Sequence, residues 1–282
     1  MDDLEGQYPL NSSLDEKHFG LSGQKGPDMD HVISELEKLE ATRFSANSYR
    51  GLPDAPAFEI ASGHIPAIVS APHAVTHFRN GNPKPSDDYT GAMALVLAKL
   101  TGCHSIVASR FDECDPNWDP LETSKYKQEL VEHVRENGIK FCLDIHGMVT
   151  ASPALVELGT GDGASVETNP EVRDIAEEIL SAKLAGFVEL YGKPIVVDGE
   201  FAARNPNTVS RTVSKQCGIP CLQIEMATPM RVPWTAGGGI PEGEHPFKPE
   251  SLKTELSARE NPNPEAVFAM IQALAQIITN CL

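Results

Sequence analysis

The sequence predicts an α/β domain, with a mostly parallel or mixed sheet held between layers of helices. Three observations predict it. Short apolar runs (Ala67-Ile68-Val69, Phe141-Cys142-Leu143 and Cys221-Leu222-Gln223-Ile224) are bounded by Gly or Pro, as strands buried on both faces read. From Phe58 onward such runs alternate with segments of helical spacing. The 282 residues suffice for one α/β domain with a sizeable core.

Element by element, residues 1 to about 27 are polar, glycine-bearing and unpatterned, and read as a loose arm. Asp28 stands where it would cap a helix over about 29 to 44, with Val32, Ile33, Leu36, Leu39 and Glu40 at helical spacing. A loop covers 52–56. Strands are expected over 57–62, 66–71, 104–108, 139–145, 154–158, 194–198 and 220–225. Helices are expected over 89–101, 123–136, 170–190, 208–217 and 264–281. Thr123 opens one of these, and Asn169-Pro170 opens another with Pro at the tolerated first position. The organisation is therefore an arm and helix over 1–50 and a single α/β domain over 51–282. There is no internal repeat or low-complexity tract. The stretch from 229 to 264 is rich in Gly and Pro without periodicity, which suits a lid or mobile loop bordering a site.

Composition narrows the function classes. A formal net charge of −17 argues against nucleic acid or anionic membrane as the main partner, because phosphate binding needs clustered cations. No apolar run approaches the ~18 residues of a membrane span, and Met1-Asp2-Asp3-Leu4-Glu5 is acidic where a secretory signal would be basic. A soluble, cytoplasmic protein is expected. The six cysteines are scattered, and Cys217 and Cys221 lack the second pair of a structural zinc site; reduced thiols are expected. Gly159-Thr160-Gly161-Asp162-Gly163 lacks the dinucleotide spacing, and no Gly-Lys-Ser/Thr follows it. Asp115-Pro116-Asn117-Trp118-Asp119 opens like a calcium loop. Pro120 stands where glycine is required, however, and Tyr126 where the bidentate Glu belongs, so calcium is rejected. There is no Gly-x-Ser-x-Gly elbow.

The chemistry gathers at strand ends. His73 follows the first apolar run, Asp144-Ile145-His146-Gly147 closes the second, and Glu225 closes the third. Ligands of open α/β sheets bind at the carboxyl ends of strands, so these three groups can converge. Two neutral imidazoles, a carboxylate and a water suit a catalytic zinc with an open position. Asp144, two residues before His146 on the same strand face, is placed to orient that imidazole. The third ligand is open between Asp87, Asp88 and His77. One of the aspartates can instead cap the following helix, while Pro72 and Asn80-Gly81 argue against a helix carrying both His73 and His77. Glu225 reads as a general base for metal-bound water; a purely structural carboxylate there would need a paired cation.

Taken together, Ser70-Ala71-Pro72-His73, Asp87-Asp88-Tyr89-Thr90-Gly91, Leu143-Asp144-Ile145-His146-Gly147 and Leu222-Gln223-Ile224-Glu225 resemble the N-formylglutamate amidohydrolase family, a relative of the zinc carboxypeptidases and aspartoacylases. Asn205-Pro206-Asn207-Thr208-Val209-Ser210 also looks like a stretch of its divergent members, and the likeness runs from about residue 58 to 226. Ala74-Val75-Thr76 replaces the usual Ser-Gly step after the histidine. The resemblance implies a three-layer αβα sandwich with a mixed, mostly parallel sheet. It implies Zn2+ held by His73, His146 and, through the Asp-x-x-Thr-Gly form, Asp87, with Asp88 the fallback and Glu225 the catalytic base and acid. The implied activity is hydrolysis of the amide of an N-acyl (N-formyl-type) acidic amino acid. The alternatives are a carboxypeptidase-like metallopeptidase and a non-catalytic metal- or ligand-binding protein on the same scaffold. A small-molecule or short-peptide substrate with a carboxylate calls for a bidentate guanidinium. Among Arg79, Arg110, Arg204, Arg211 and Arg231, the expected readers are Arg79 and Arg204, with Asn207 as a polar helper, because binding groups gather on loops after strand ends.

Overall fold

The computed structural model describes residues 27–148, 152–233 and 263–282. Its strands are β1 (Phe58–Ala61), β2 (Ala67–Ala71), β3 (His77–Arg79), β4 (Asn82–Lys84), β5 (His104–Ala108), β6 (Phe141–Gly147), β7 (Val156–Gly159), β8 (Ile195–Val197) and β9 (Cys221–Met226). Its helices are α1 (Met29–Leu39), the single turn α2 (Ala46–Tyr49), α3 (Thr90–Thr101), α4 (Lys125–Glu136), α5 (Glu171–Tyr191), α6 (Val209–Cys217) and α7 (Pro264–Asn280). Seven strands form one sheet in the order β1-β5-β2-β6-β9-β7-β8. The central β5, β2, β6 and β9 are parallel. At one edge β1 joins antiparallel; at the other, β7 runs antiparallel to β9 and carries β8 parallel to itself.

Connection chirality explains the layers. The chain passes from β2 through α3 to β5, then returns through α4 to β6 on the other side of β2. Right-handed crossovers running in opposite directions put their helices on opposite faces. Accordingly α1, α5 and α7 gather with α3, while α6 packs beside α4. Every residue of β2, and Phe141 to His146 of β6, is buried, as expected of strands covered on both faces. Because strand order reverses at β2, the crevice beyond the carboxyl ends of β2 and β6 is a topological switch point, where this class of sheet binds ligands.

Local physics refines the sequence boundaries. Asp28 holds the N-cap position of α1 in extended backbone (φ −71°, ψ 125°), yet its carboxylate makes no capping bond. Helix α1 does run on to residue 44, but through a π-turn at Glu40–Phe44. Val32 and Leu36 enter the same core as Met93 and Leu97, and α1 packs on α3 and α7. Ser124, one residue later than expected, caps α4 by accepting from the Lys127 amide. The β3–β4 hairpin is new: Asn80-Gly81, which the sequence offered only as an argument against a helix, is its turn. The two residues have φ of +53° and +75°, both left-handed as a type I′ turn demands. No helix among the described residues is long and apolar enough to cross a membrane. All six cysteines are free. The arm expected over 1 to about 27 falls almost wholly outside the described residues, as does most of the lid expected over 229–264, of which 229–233 and 263–264 are described.

Candidate metal centre

Two adjacent parallel strands deliver the histidines. His73 lies two residues beyond β2, and β6 extends past its expected end so that His146 sits within it, in register with Glu225 of β9. Asp87 arrives from the entry to α3. Its amide donates to the His73 carbonyl (2.8 Å), and its own carbonyl accepts from the Thr90 hydroxyl (2.7 Å). The backbone is thereby pinned, and the carboxylate turns inward rather than capping the helix.

The three side chains meet on one point. His73 Nδ1 and His146 Nδ1 are 3.1 Å apart, and Asp87 Oδ2 lies 3.2 Å from the first and 3.4 Å from the second. A tetrahedron with metal–ligand bonds of about 2.0–2.1 Å has edges of about 3.3–3.4 Å, so these donors already stand near coordination spacing. The outer ring nitrogens are fixed: His73 Nε2 contacts Asp115 Oδ1 at 2.8 Å, and His146 Nε2 contacts Asp144 Oδ2 at 3.0 Å. A carboxylate only accepts, so each Nε2 carries a proton, and each Nδ1 faces the other and Asp87, where a neutral ring presents its lone pair. Three buried electron-rich atoms facing one another call for a positive charge. Burial opposes a charged His146, but Asp144, Asp87 and Glu225 outweigh it and raise its proton affinity well above the ordinary imidazole value. Burial likewise favours a neutral Asp87, yet Lys84 and the two histidines hold its carboxyl well below the usual range. The donor set fits a divalent metal, which would take the place of that proton.

Glu225 faces this cluster from β9. Burial raises its carboxyl to about 7, with His146 and Lys84 pulling it down and Asp87 and Asp144 pushing it up. Among the described residues no Lys or Arg nitrogen lies within ion-pair reach of it; Gln223 Nε2 donates to its Oε1 at 3.2 Å. Among the described residues the charge that offsets Glu225 comes from His146 and, at longer range, Lys84, not from a salt-bridged Lys or Arg. A cavity of about 560 Å³ opens above the cluster, bordered by His73, Asp87, His146, Glu225, Trp118 and Arg231.

The other expected site residues fare differently. Asp88 accepts from the Ser86 hydroxyl (2.8 Å) and stands outside the cluster. His77 donates from Nε2 to the Pro72 carbonyl (2.6 Å), and burial lowers it to about 4; it braces the Pro72-His73 step as a neutral ring. Arg79 lines the cavity, but its Nε is bound to Asp115 Oδ2 (2.7 Å) and its guanidinium lies over the Trp118 ring. Arg204 lines the exposed rim, with a forked pair to Asp162 at 2.9 Å for both bonds. Asn207 does not border the cavity at all: its carbonyl accepts from Lys127 Nζ, and Asn205 takes the lining position.

Arg231, passed over at first, is the cation the pocket leaves unmatched. It is 8% exposed. Its Nη1 donates to the Asp88 carbonyl (2.7 Å) and Nη2 reaches the Met148 carbonyl at 3.5 Å. Among the described residues its Nε has no hydrogen-bond partner and no carboxylate pairs with it. The sequence did hold a signal, since Arg231 sits within Met226-Ala227-Thr228-Pro229-Met230 and Val232, an apolar context that buries what it contains. Asp115 was missed because its segment was set aside with calcium, and Lys84 because nothing marks it locally.

No protein-family model matches the sequence, and no curated protein does. Among solved structures, the chain is similar to N-formylglutamate amidohydrolase from Ralstonia eutropha JMP134, with 16% identity and a TM-score of 0.48 over 81% of this chain and 100% of that one. It is also similar to a bacteriophage poly-gamma-glutamate hydrolase, with 13% identity and a TM-score of 0.42 over 80% and 91% of the two chains. A metallo-carboxypeptidase from Burkholderia cenocepacia gives 13% identity and a TM-score of 0.42, with 80% of this chain spanning 64% of the longer one.

Proposed function

We propose that this protein is a zinc-dependent hydrolase that cleaves an amide bond in a small N-acyl amino acid or short peptide bearing a carboxylate. The observation that carries the proposal is the buried His73–Asp87–His146 cluster at coordination spacing, with Glu225 in register beside it. Two imidazoles and one carboxylate are the donors of a catalytic zinc site with an open position. Zinc bound there would polarise the scissile carbonyl and bring the pKa of its water to about 7. Glu225 takes the proton of the attacking water at its carboxylate and returns it to the leaving amine. Asp115 and Asp144 keep both rings in the tautomer that presents Nδ1. Arg231 holds the substrate carboxylate. The motif resemblance supports an N-formyl-type acyl group, and the free cysteines suit a reducing, cytoplasmic setting.

Metal analysis tests this directly. Purified protein is expected to retain about one zinc per chain. The His73→Ala, His146→Ala double variant is expected to retain none and to lose amide hydrolysis with it. A wild type without zinc, or a double variant with undiminished zinc, overturns the proposal. A milder change probes the ring-holding role: Asp115→Asn is expected to weaken zinc binding about 10- to 100-fold, read by competition with a chromophoric chelator. Unchanged affinity would mean that the Asp115 contact does not set the His73 ring. A peptidase reading keeps one supporting observation, a cavity of about 560 Å³, which has room for more than one acylated amino acid. Parallel assays on N-formyl amino acids and short peptides separate the two.

A further inference from the structure

We infer that Lys84 is a positioning residue of the metal centre, holding Asp87 to a single ligating oxygen. The inference rests on His73, Asp87 and His146 being the metal ligands.

Lys84 ends the β3–β4 hairpin, and Pro85 and Ser86 turn the chain directly into Asp87. Its ammonium contacts Asp87 Oδ1 at 2.9 Å and the Pro85 carbonyl at 3.1 Å. Its side chain is 19% exposed and borders the cavity. The two oxygens of Asp87 are therefore unlike: Oδ1 is engaged by Lys84, and Oδ2 alone turns to the two Nδ1 atoms. The pinned backbone of Asp87 fixes where the carboxylate enters the site, and the Lys84 contact on Oδ1 is what restrains its rotation there.

Two consequences follow from elementary coordination chemistry. A carboxylate confined to one oxygen leaves more of the coordination sphere open to water and a substrate carbonyl. A cation on that ligand also offsets part of its charge, so the metal is held less tightly and remains the stronger Lewis acid. Arg79 acts one step further out, on Asp115 rather than on a donor. Among the described residues Lys84 is the Lys or Arg side chain in direct contact with the donor set.

The sign of the expected effect separates this role from simple bracing. Lys84→Met frees Oδ1 and removes the opposing charge, so zinc affinity is expected to rise about tenfold or more while amide hydrolysis falls. A residue that merely braced the loop would, when removed, misplace Asp87 and weaken binding. Affinity is measured on the full chain, stripped of metal and titrated with zinc against a chromophoric chelator. The Co2+-loaded protein gives a second readout: its visible d–d absorption is expected to weaken in Lys84→Met as Asp87 adds its second oxygen. Lys84→Arg, which keeps a cation on Oδ1, is expected to stay within a few-fold of wild type. Lys84→Gln repeats the test should the methionine variant fold poorly. A wild type that binds no zinc overturns the metal assignment and this inference with it. A zinc-binding wild type whose neutral Lys84 variants bind no more tightly, with an unchanged Co2+ spectrum, overturns this inference alone.

Discussion

Glu225→Gln is expected to keep its zinc and to lose about a hundred- to ten-thousand-fold in amide hydrolysis, the usual contribution of a positioned acid–base group. Glu225 is not among the donor atoms, and glutamine preserves its shape, so metal binding survives while the proton acceptor is removed. The same variant decides between an enzyme and a binding protein. Turnover that persists in Glu225→Gln removes Glu225 from the chemistry. A wild type that hydrolyses nothing in a broad amide library, while a carboxylate ligand raises its melting temperature, identifies a binding protein instead.

Stability gives Glu225 an independent test. Burial lifts its carboxyl to about 7 in the folded, metal-free chain, against about 4.3 when unfolded. Between those values the folded state holds a proton that the unfolded state has released. Stability therefore falls as pH rises through the window, and the full cost stands above it. Metal-free Glu225→Gln is accordingly expected to melt a few degrees higher than metal-free wild type at pH 8 and at nearly the same temperature near pH 4. A wild type that melts higher at pH 8 would mean that the buried carboxylate has a stabilising partner.

His73, His146 and Glu225 were legible because parallel strands advertise themselves. An apolar run covered on both faces can be read directly, and its carboxyl end is where such sheets place their chemistry. Asp87 was only half legible: Asp87 and Asp88 share a loop, and which one turns inward depends on Thr90 and on the His73 carbonyl. Asp115 lies 42 residues from His73 on a loop without periodicity, so no local pattern announces the contact. The pairing of the two expected arginines was illegible for the same reason. Arg79 meets Asp115 across 36 residues and Arg204 meets Asp162 across 42. Whether a cation is already paired is a property of the folded surface, not of its neighbours in sequence. The Asn80-Gly81 turn was a different kind of miss, since the hairpin signal was present and was weighed only against a helix.

Arg231 yields the second large effect, a discrimination rather than a simple loss. A guanidinium buried, among the described residues, with only carbonyl partners and an unbonded Nε has lost its hydration without gaining a counter-charge from them, an arrangement that favours an incoming anion. Arg231→Met is expected to lower kcat/KM for a carboxylate-bearing substrate about a hundredfold or more, the scale of breaking a buried hydrogen-bonded charge pair. For the matching neutral amide the change is expected to stay within about threefold. Arg231→Lys keeps the charge but loses the fork, so it belongs between the two. Arg79→Ala and Arg204→Ala are expected to discriminate less, because each guanidinium is already matched by a carboxylate. Gly147 supplies a control that leaves Arg231 in the chain. A Cβ at that position would stand 2.6 Å from Arg231 Nε, 2.8 Å from its Cζ and 3.1 Å from Asp87 Cβ, so Gly147→Ala displaces the guanidinium without removing its charge. Crowding of Asp87 acts on both substrates alike, and the ratio between them reads Arg231. If Arg231 reads the carboxylate by position, Gly147→Ala shifts the preference in the same direction as Arg231→Met. If both variants slow the acidic and the neutral substrate equally, the guanidinium serves the fold of this wall, and the proposed preference for a carboxylate has to rest on another residue.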